Sequence, residues 1–147
     1  MSLRFETVKK YEGQEQLIPE RKTAEAAGYD LLTAHAITLQ PWKPTLISTG
    51  VKCYLPKGTY LQLQLRSSAP LKNSIIMTNS PGIIDRDYVD NEKNEGEIFV
   101  QVMNYGKTPL EIPAYTKIAQ GICCVYMNNP TENIEVVRKG GFGSTEE

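Results

Sequence analysis

Residues 45–67 read TLISTGVKCYLPKGTYLQLQLRS, and they carry the clearest strand pattern in the chain. A run rich in β-branched residues leads to a Pro-Lys-Gly turn at 56–58. After that turn Leu61, Leu63 and Leu65 alternate with polar residues. Because successive side chains of a strand point to opposite faces, the three leucines share one face. The stretch therefore predicts a β-hairpin whose second strand has one buried face.

Strand patterns recur on both sides of this stretch. Residues 3–10 alternate loosely and predict a first strand, and residues 97–106 predict another with its even-numbered side chains buried. Residues 108–127 predict two more strands, of which the second is apolar enough to be covered on both faces. Only residues 67–72 suit a helix, with a serine at its N-cap. The pattern predicts an all-β fold, a jelly-roll-like β-sandwich or barrel with at most one short helix.

Length and composition limit the classes of function. A chain of 147 residues is one domain's worth, and its formal net charge of -1 gives no general attraction for nucleic acid or for a membrane surface. It contains no run of about 18 apolar residues and no apolar leader at its start. We therefore expect a cytoplasmic protein that binds neither nucleic acid nor membrane.

Histidine and cysteine are scarce. The three cysteines, Cys53, Cys123 and Cys124, have no metal-binding spacing, and we interpret them as reduced core residues. His35 is the only histidine, so a serine–histidine triad or a multi-histidine metal centre would depend on it alone. Its small and apolar neighbours favour a structural role. Any catalysis then falls on carboxylates, arginines and backbone amides.

Residues 79–98, NSPGIIDRDYVDNEKNEGEI, have the most site-like composition. The pair Pro-Gly at 81–82 turns the backbone just before two acids at alternate positions. In an extended backbone Asp85 and Asp87 would share one face, and Tyr88 would lie on the other. The alternative is a solvated hairpin tip that carries charges.

Two isolated polar residues are further candidates. Asp30 follows Gly28 where the sequence turns apolar, so it is either a turn cap, which the sequence favours, or a site residue. Gln120 is the one uncharged polar side chain inside the last predicted strand. A buried glutamine needs hydrogen-bond partners, so it either braces the backbone or faces a ligand.

Arg66 emerges at the end of a predicted core strand and is followed by Ser67 and Ser68. Serine amides at a helix start suit phosphate oxygens, and an arginine adds a forked, charged donor. A plain joint between strand and helix, with a surface arginine, is the simpler interpretation of these residues.

The tail, NIEVVRKGGFGSTEE, is too rich in glycine for a strand. It lacks the GK[ST] ending of a Walker loop, and it predicts a mobile arm. Its glycines free backbone amides to wrap an anion, and its other residues offer charge, hydroxyls and a stacking face. The residues concerned are Arg138, Lys139, Gly140, Gly141, Phe142, Gly143, Ser144 and Thr145.

The chain resembles the trimeric dUTP diphosphatases (dUTPases) in five ordered segments: AAGYDL at 26–31, RSS at 66–68, NSPGIIDRDY at 79–88, IAQGI at 118–122 and RKGGFGST at 138–145. The resemblance implies a jelly-roll homotrimer with active sites at the subunit boundaries, each drawing motifs from all three chains. It divides the chain into a β domain, 1–137, and a flexible glycine-rich arm, 138–147, that closes over the active site.

The activity that this resemblance implies is hydrolysis of dUTP to dUMP and diphosphate, which limits uracil in DNA and supplies dUMP for thymidylate synthesis. Asp85 matches the catalytic carboxylate that activates water, and an aspartate is ordinarily ionised at pH 7. Tyr88 matches the ring that packs under the sugar and selects deoxyribose. Asn79 and the backbone around Gly82 and Ile84 match the segment that reads uracil.

The remaining motifs resemble the family's phosphate contacts and lid. Phosphate contacts are implied for Arg66, Ser67, Ser68 and Gln120, with Asp30 as a site-lining acid. In the arm, the implied substrate contacts are Phe142 stacking on uracil, Gly143, and Arg138, Ser144 and Thr145 on the terminal phosphate. The implied cofactor is Mg²⁺, held by phosphate oxygens and water rather than directly by the protein.

Two features depart from the family pattern. Residues 89–96, VDNEKNEG, form an acidic insertion that would lengthen the hairpin away from the base. Arg138 stands four residues before Phe142 rather than five, so either it or Lys139 holds the terminal phosphate. A dCTP deaminase of the same fold would need a different third motif and a general-base glutamate, and neither is present. The other alternative is a non-catalytic trimer that senses nucleotides or binds a partner through the insertion.

Overall fold

The computed structural model describes residues 2–143 of the chain. Within that range the chain forms eleven strands, one α-helix and three single-turn 3₁₀ helices, which confirms the all-β prediction. The strands are β1 (Arg4–Thr7), β2 (Tyr29–Leu32), β3 (Ile37–Leu39), β4 (Thr45–Ser48), β5 (Val51–Tyr54), β6 (Thr59–Leu65), β7 (Ile75–Met77), β8 (Gly82–Ile84), β9 (Phe99–Asn104), β10 (Leu110–Ile112) and β11 (Lys117–Val125). The helices are α1 (Ser68–Asn73) and the 3₁₀ turns Lys9–Tyr11, Glu15–Leu17 and Arg86–Tyr88.

The strands form a jelly-roll-like arrangement of small sheets. The largest sheet has the order β2-β11-β6-β8, a second has the order β4-β9-β7, and β1-β5 and β10-β3 form two-stranded ribbons. Every one of these pairings is antiparallel. No helix within the described residues is long and apolar enough to cross a membrane.

The core lies between the inner faces of these sheets. Leu61 and Leu63 of β6 are buried, and so are Ile98, Val100 and Val102 in and beside β9, which confirms the predicted faces of both segments. Their alternation with more exposed neighbours follows from the two-residue period of a strand. Most of the candidate site residues lie on the outer faces of the strands. The buried apolar layer beneath them therefore holds these residues in place.

The predicted hairpin at 45–67 is wrong. The turn forms, with the Thr59 amide donating to the Pro56 carbonyl at 3.2 Å, but β5 and β6 are not paired with each other. β5 pairs with β1, while β6 lies between β11 and β8. The chain changes sheets at this turn, as strands do at the corners of packed sheets. Turn residues cause the chain to reverse its direction, but they do not determine which strands pair with each other on either side of the turn.

Two further strand predictions need correction. β1 ends at Thr7 and is followed by a 3₁₀ turn, so it is shorter than residues 3–10. β11 is covered on one face only within this chain, since Gln120, Ile122 and Cys124 remain half-buried on the other face. α1 forms as predicted, but Ser67 at its N-cap makes no side-chain capping bond.

Candidate functional site

The first candidate pocket lies beside the edge strand β8 and is called the Asp85 pocket. Gly82 brings this strand close to β6, because a Cβ there would lie only 3.1 Å from the Leu63 Cβ. The described residues that line the pocket are Leu63, Asn79, Gly82, Ile83, Ile84, Asp85, Tyr88, Phe99, Arg138, Gly141 and Phe142. The third and fifth motifs thus meet in one cavity of one chain.

The two acids of the third motif do share a side, but not through an extended backbone. The chain leaves the strand conformation after Ile84, and the 3₁₀ turn Arg86–Tyr88 begins directly after Asp85. Both carboxylates then face one guanidinium: Arg138 Nη2 lies 2.6 Å from Asp85 Oδ2, and its Nε lies 2.7 Å from Asp87 Oδ1. The Asp85 side chain is 53% exposed and that of Arg138 18%. Asp85 is therefore accessible and paired with a cation.

Tyr88 is the fixed wall of the Asp85 pocket. It is 6% exposed, and its hydroxyl donates to the Glu97 carbonyl at 2.7 Å and accepts from Asn94 Nδ2 at 2.9 Å. Burial raises the pKa of the Tyr88 phenol, so it keeps its proton at neutral pH. The hydroxyl end of the Tyr88 ring is thus held by the insertion and by Glu97, and another edge of the ring faces the pocket.

The described part of the arm lies against this pocket. A Cβ at Gly141 would lie 2.7 Å from Tyr88 Cε1, so only glycine permits this approach of backbone to ring. The Phe142 ring packs edge-on against Phe99 with centroids 6.1 Å apart, and Phe142 remains 64% exposed. Gly143 is the last described residue, and the predicted contacts at 144–145 lie outside the described residues.

Sequence reasoning missed Phe99. It begins β9 on the face opposite the buried Val100, and a large apolar residue on an outer face was the signal that could have identified it.

The second candidate pocket, the Asp30 pocket, gathers the first, second and fourth motifs. It is lined by Lys22, Ala26, Ala27, Gly28, Asp30, Arg66, Ser67 and Gln120. Gly28 lies close to Gln120, since a Cβ at position 28 would be 2.4 Å from Gln120 Oε1 and would displace that side chain. Ser67 is exposed at the start of α1, and Ser68, the first residue of the helix, is half-buried and does not line the pocket.

The favoured role of Asp30 as a turn cap is wrong. Asp30 lies inside β2, opposite Gln120 of β11. Its carboxylate is 3.6 Å from Arg66 Nε and 3.4 Å from Lys117 Nζ. Lys22 also lines the pocket, so Lys22 and Arg66 provide two cations beside one acid that is already paired with Lys117, and this surplus of positive charge suits an anionic ligand. Lys22 and Lys117 were not identified from the sequence, because neither belongs to a motif.

The two pockets are separate within one chain and share no lining residue among those described. Their acids lie at the two edges of the sheet β2-β11-β6-β8, with Asp30 in β2, Asp85 directly after β8 and two strands between those edges. At the usual spacing of neighbouring strands the edges are about 14 Å apart. A single chain therefore holds both halves of the candidate site without joining them.

The insertion, residues 89–96, does not lengthen a hairpin, because β8 pairs with β6 and not with β9. It folds back onto β5 instead. Lys52 Nζ lies 2.6 Å from Asp90 Oδ1 and 2.8 Å from Glu95 Oε2, and the Glu95 carboxylate also accepts from the Lys9 amide. The insertion is thus held to the body of the chain by a largely buried lysine.

These ion pairs shift the pKa values of all three groups. Burial opposes the charge of Lys52, but its two acidic partners outweigh that effect and raise its pKa. Burial likewise disfavours the ionised form of Asp90, but hydrogen bonds from Lys52 and Tyr54 lower its pKa overall. The hydrogen bond from Lys52 lowers the pKa of Glu95.

The remaining titratable candidates lie outside both pockets. His35 is exposed, and its Nδ1 lies 2.9 Å from the neighbouring Ala36 carbonyl. Cys53 is free and buried, and burial raises the pKa of its thiol to about 12, so it is unreactive at neutral pH. Across residues 2–143 no group of three or more histidine, cysteine, aspartate and glutamate side chains is placed to hold a metal ion.

Comparison with known proteins agrees with the motif pattern. The family model described as dUTPase matches residues 14–146. The deoxyuridine 5'-triphosphate nucleotidohydrolase of Lactococcus lactis subsp. lactis is 38% identical over 143 residues, which cover 96% of this chain and 95% of that protein. The protein of the same name from Treponema denticola is 37% identical over 136 residues, covering 88% and 90%.

Solved structures agree as well. The crystal structure of dUTPase from Streptococcus mutans gives a TM-score of 0.83 at 38% identity and covers 85% of this chain and 97% of that one. A mutant dUTPase from phage phi11 of S. aureus, with a structural Mg(II) ion, gives a TM-score of 0.71 at 19% identity, covering 92% and 98%. That second likeness supports the fold alone.

The Lys52 ion pairs predict a stability that depends on pH. The ordinary pKa values of Asp90 and Glu95 are 3.8 and 4.5, and both are lowered in the folded chain. Their contribution is therefore complete above about pH 4.5 and is lost as the pH falls through the lowered folded values. We expect Lys52→Met to reduce the free energy of unfolding at pH 7 and to reduce it much less at about pH 3.

Urea unfolding at fixed protein concentration measures this effect, with Lys57→Met in the exposed turn at 56–58 as the matched control. A loss for Lys52→Met that is the same at both pH values would contradict the proposed pairing.

Proposed function

Because the chain belongs to the dUTPase family, we propose that it hydrolyses dUTP to dUMP and diphosphate with Asp85 as the catalytic carboxylate. The observation that carries this assignment is the position of Asp85, half-exposed at a pocket that Tyr88 and Phe142 also line. A carboxylate sealed in the core could reach neither water nor substrate, and Asp85 is open to both. The reaction removes dUTP from the supply for DNA synthesis and provides dUMP for thymidylate synthesis.

In the proposed reaction Asp85 orients a water molecule and accepts its proton. The water oxygen forms a bond to the α-phosphorus of dUTP, and the bond from that phosphorus to the bridging oxygen breaks. Diphosphate leaves with the electron pair. A positioned general base of this kind contributes about 10²- to 10⁴-fold to the rate. The aspartate performs the role that histidine has in many hydrolases, which suits a chain with one distant histidine.

The nucleoside half of the substrate belongs in the Asp85 pocket. The backbone of Gly82 and Ile84 and the exposed side chain of Asn79 supply hydrogen-bonding groups along one wall for the uracil edge. The buried ring of Tyr88 lines this pocket, and we propose that it packs under the sugar and excludes a ribose 2'-hydroxyl. This division of roles would favour dUTP over UTP.

The phosphate half belongs in the Asp30 pocket of a neighbouring copy. Arg66, Ser67 and Gln120 line that pocket, and Asp30 lies among them as a site-lining acid. The acids of the two pockets lie at opposite edges of one sheet, and we propose that a substrate touching both pockets bridges two chains. We therefore propose a homotrimer, with Ser68 supporting the same phosphate contact from the start of α1.

The proposed cofactor is Mg²⁺. This ion keeps several waters and binds through substrate phosphates, which fits a triphosphate bound beside the carboxylates of Asp85 and Asp30. When bound, it offsets the charge of the phosphates. The chain's own cations, Arg66 among them, position the remaining oxygens.

The arm is proposed to close over the bound nucleotide. In the described chain Arg138 is engaged by Asp85 and Asp87, while Lys139 is exposed. A triphosphate offers Arg138 a more highly charged anionic partner than a carboxylate. Movement of Arg138 to the terminal phosphate would leave Asp85 free to act as the base. Phe142 would then turn from Phe99 to stack on uracil, with the hydroxyls at 144 and 145 on the phosphate.

Neighbouring acids provide a matched test of the catalytic assignment. Asp85→Asn should lower dUTP turnover by about 10²- to 10⁴-fold, whereas Asp87→Asn should change it only a few-fold, although both acids pair with Arg138. Diphosphate release with Mg²⁺ measures the effect. An unimpaired Asp85→Asn protein would reject the assigned role, and release of ammonia from dCTP would favour a deaminase.

Subunit mixing tests the shared site. Asp85→Asn and Arg66→Ala each damage one pocket, so each variant alone should be inactive. Chains refolded together should regain activity in about one quarter of the sites, because a site built from two chains then contains two intact halves by chance. If each chain holds a complete site, the mixture will stay inactive.

Truncation tests the arm. A chain that lacks residues 138–147 should form the same folded assembly but turn over dUTP about 100-fold more slowly, because the closed site is lost. A chain that lacks only 146–147 is the control and should be unchanged. Equal kinetics of all three proteins would remove the lid from the model.

A further inference from the structure

We infer that Asn94, in the insertion, is a positioning residue that sets the place of the Tyr88 ring and thereby the discrimination between deoxyribose and ribose. The inference rests on the proposed function and extends it to a residue outside the five motifs. Asn94 is the sixth residue of the segment 89–96, which departs from the family pattern, and its side chain reaches back to the Tyr88 hydroxyl.

The orientation of the Asn94 amide is determined by its neighbours. Its Oδ1 accepts from the Gly96 amide at 3.1 Å and from Asn91 Nδ2 at 2.7 Å. The Asn91 amide is oriented in the same way, because its Oδ1 accepts from the backbone amides of Lys93 and Asn94. Backbone amides can only donate, so neither side chain can be flipped. Asn94 Nδ2 must therefore face the Tyr88 hydroxyl.

The phenol is held from two directions. It accepts from Asn94 and donates to the carbonyl of Glu97, whose buried carboxylate is itself bound by Ser48 Oγ and by the Gly50 amide at 3.2 Å. A hydroxyl with one donor and one acceptor partner has a defined direction and a defined place. With Glu97 fixed to the core, Asn94 is the partner that determines where the ring lies across the pocket.

The insertion has the local rigidity that this task needs. Asn91 Nδ2 also donates to the Tyr88 carbonyl at 2.7 Å, which ties the start of the insertion to the residue it positions. Gly96 has a φ of +83°, and a Cβ there would lie 2.6 Å from the Val89 Cα, so the two ends of the insertion meet in close contact. Lys52 holds the outer side through its acids.

The position of the Tyr88 ring also determines how closely the backbone of the arm can approach the pocket. Gly141 lies directly against the Tyr88 ring, and Gly140 lies against the stem of Lys93, where a Cβ would be 2.5 Å from its Cδ. A shift of the ring toward the insertion would open space at the sugar wall. The 2'-hydroxyl of a ribonucleotide would then fit into this space at little cost in binding free energy, because the Tyr88 ring excludes it only by steric contact.

The test compares dUTP with UTP in four proteins. The wild type, Asn94→Ala, Tyr88→Phe and the double variant are assayed for kcat/KM on both nucleotides with Mg²⁺. Binding of dUDP and UDP is measured by calorimetry as a readout that needs no turnover. We expect Asn94→Ala to lower the preference for the deoxy nucleotide roughly 3- to 10-fold, the equivalent of one hydrogen bond. The double variant should lose no more than Tyr88→Phe alone.

Ile112→Val is the matched control, because it trims the buried core in β10, which lines neither pocket, and should lower thermal stability while leaving the preference unchanged. An Asn94→Ala protein that is less stable but equally selective, or a double variant whose losses add, overturns the inference. If deoxy-selective binding depends on Asn94 and no protein releases diphosphate, the proposed function fails and the inference stands. If no protein binds either nucleotide, both are overturned.

Discussion

The antiparallel pairing of β6 with β11 is the constraint from which the rest of the molecule follows. The two strands pair at seven positions, from Leu65 opposite Ala119 to Thr59 opposite Val125. This pair forms the centre of the largest sheet, so β2 and β8 must be its edges. The acids of the first and third motifs are carried to opposite sides by that order. The geometry of one sheet thus separates these two acids within one chain.

The acids of the two pockets are already paired with cations in the chain without substrate. Asp85 and Asp87 share the guanidinium of Arg138, and Asp30 lies among cations at the other pocket. In the proposed function, a triphosphate would bind by replacing these existing ion pairs rather than by meeting unpaired charges. Such exchange gives specificity more readily than affinity, because each new ion pair replaces an old one. In the proposed function, this exchange would couple closure of the arm to the release of Asp85.

The insertion illustrates how an acidic surface segment can serve the interior of a site. The sequence predicted a lengthened hairpin here, and yet Asp90 and Glu95 turn back onto Lys52 while Asn94 reaches the phenol of Tyr88. The alternative of a docking surface for a partner has less support, because these side chains are engaged by the chain itself. Asn94 binds the phenol of Tyr88, which lines the Asp85 pocket.

The sequence pattern predicted correctly those features that depend only on residues close together in the sequence. The alternation around Leu61 and Leu63 predicted a buried face, and the turn chemistry at 56–58 predicted a reversal of the chain. Both depend on neighbours in sequence and on the two-residue period of a strand. The hairpin prediction failed because strand partners are chosen by contacts that are distant in sequence.

The sequence by itself determined the fold class, the family and the identity of the residues that carry charge and aromatic surface, since these depend on composition, order and short periods. Only the tertiary structure decided that Asp30 lies in a strand and that Asp85 precedes a 3₁₀ turn. It also decided that Phe99 and Asn94 belong to the Asp85 pocket and its support. The physical reason is that a side chain's role depends on which neighbours folding brings within hydrogen-bonding distance, and those neighbours are set by strand order across the whole chain.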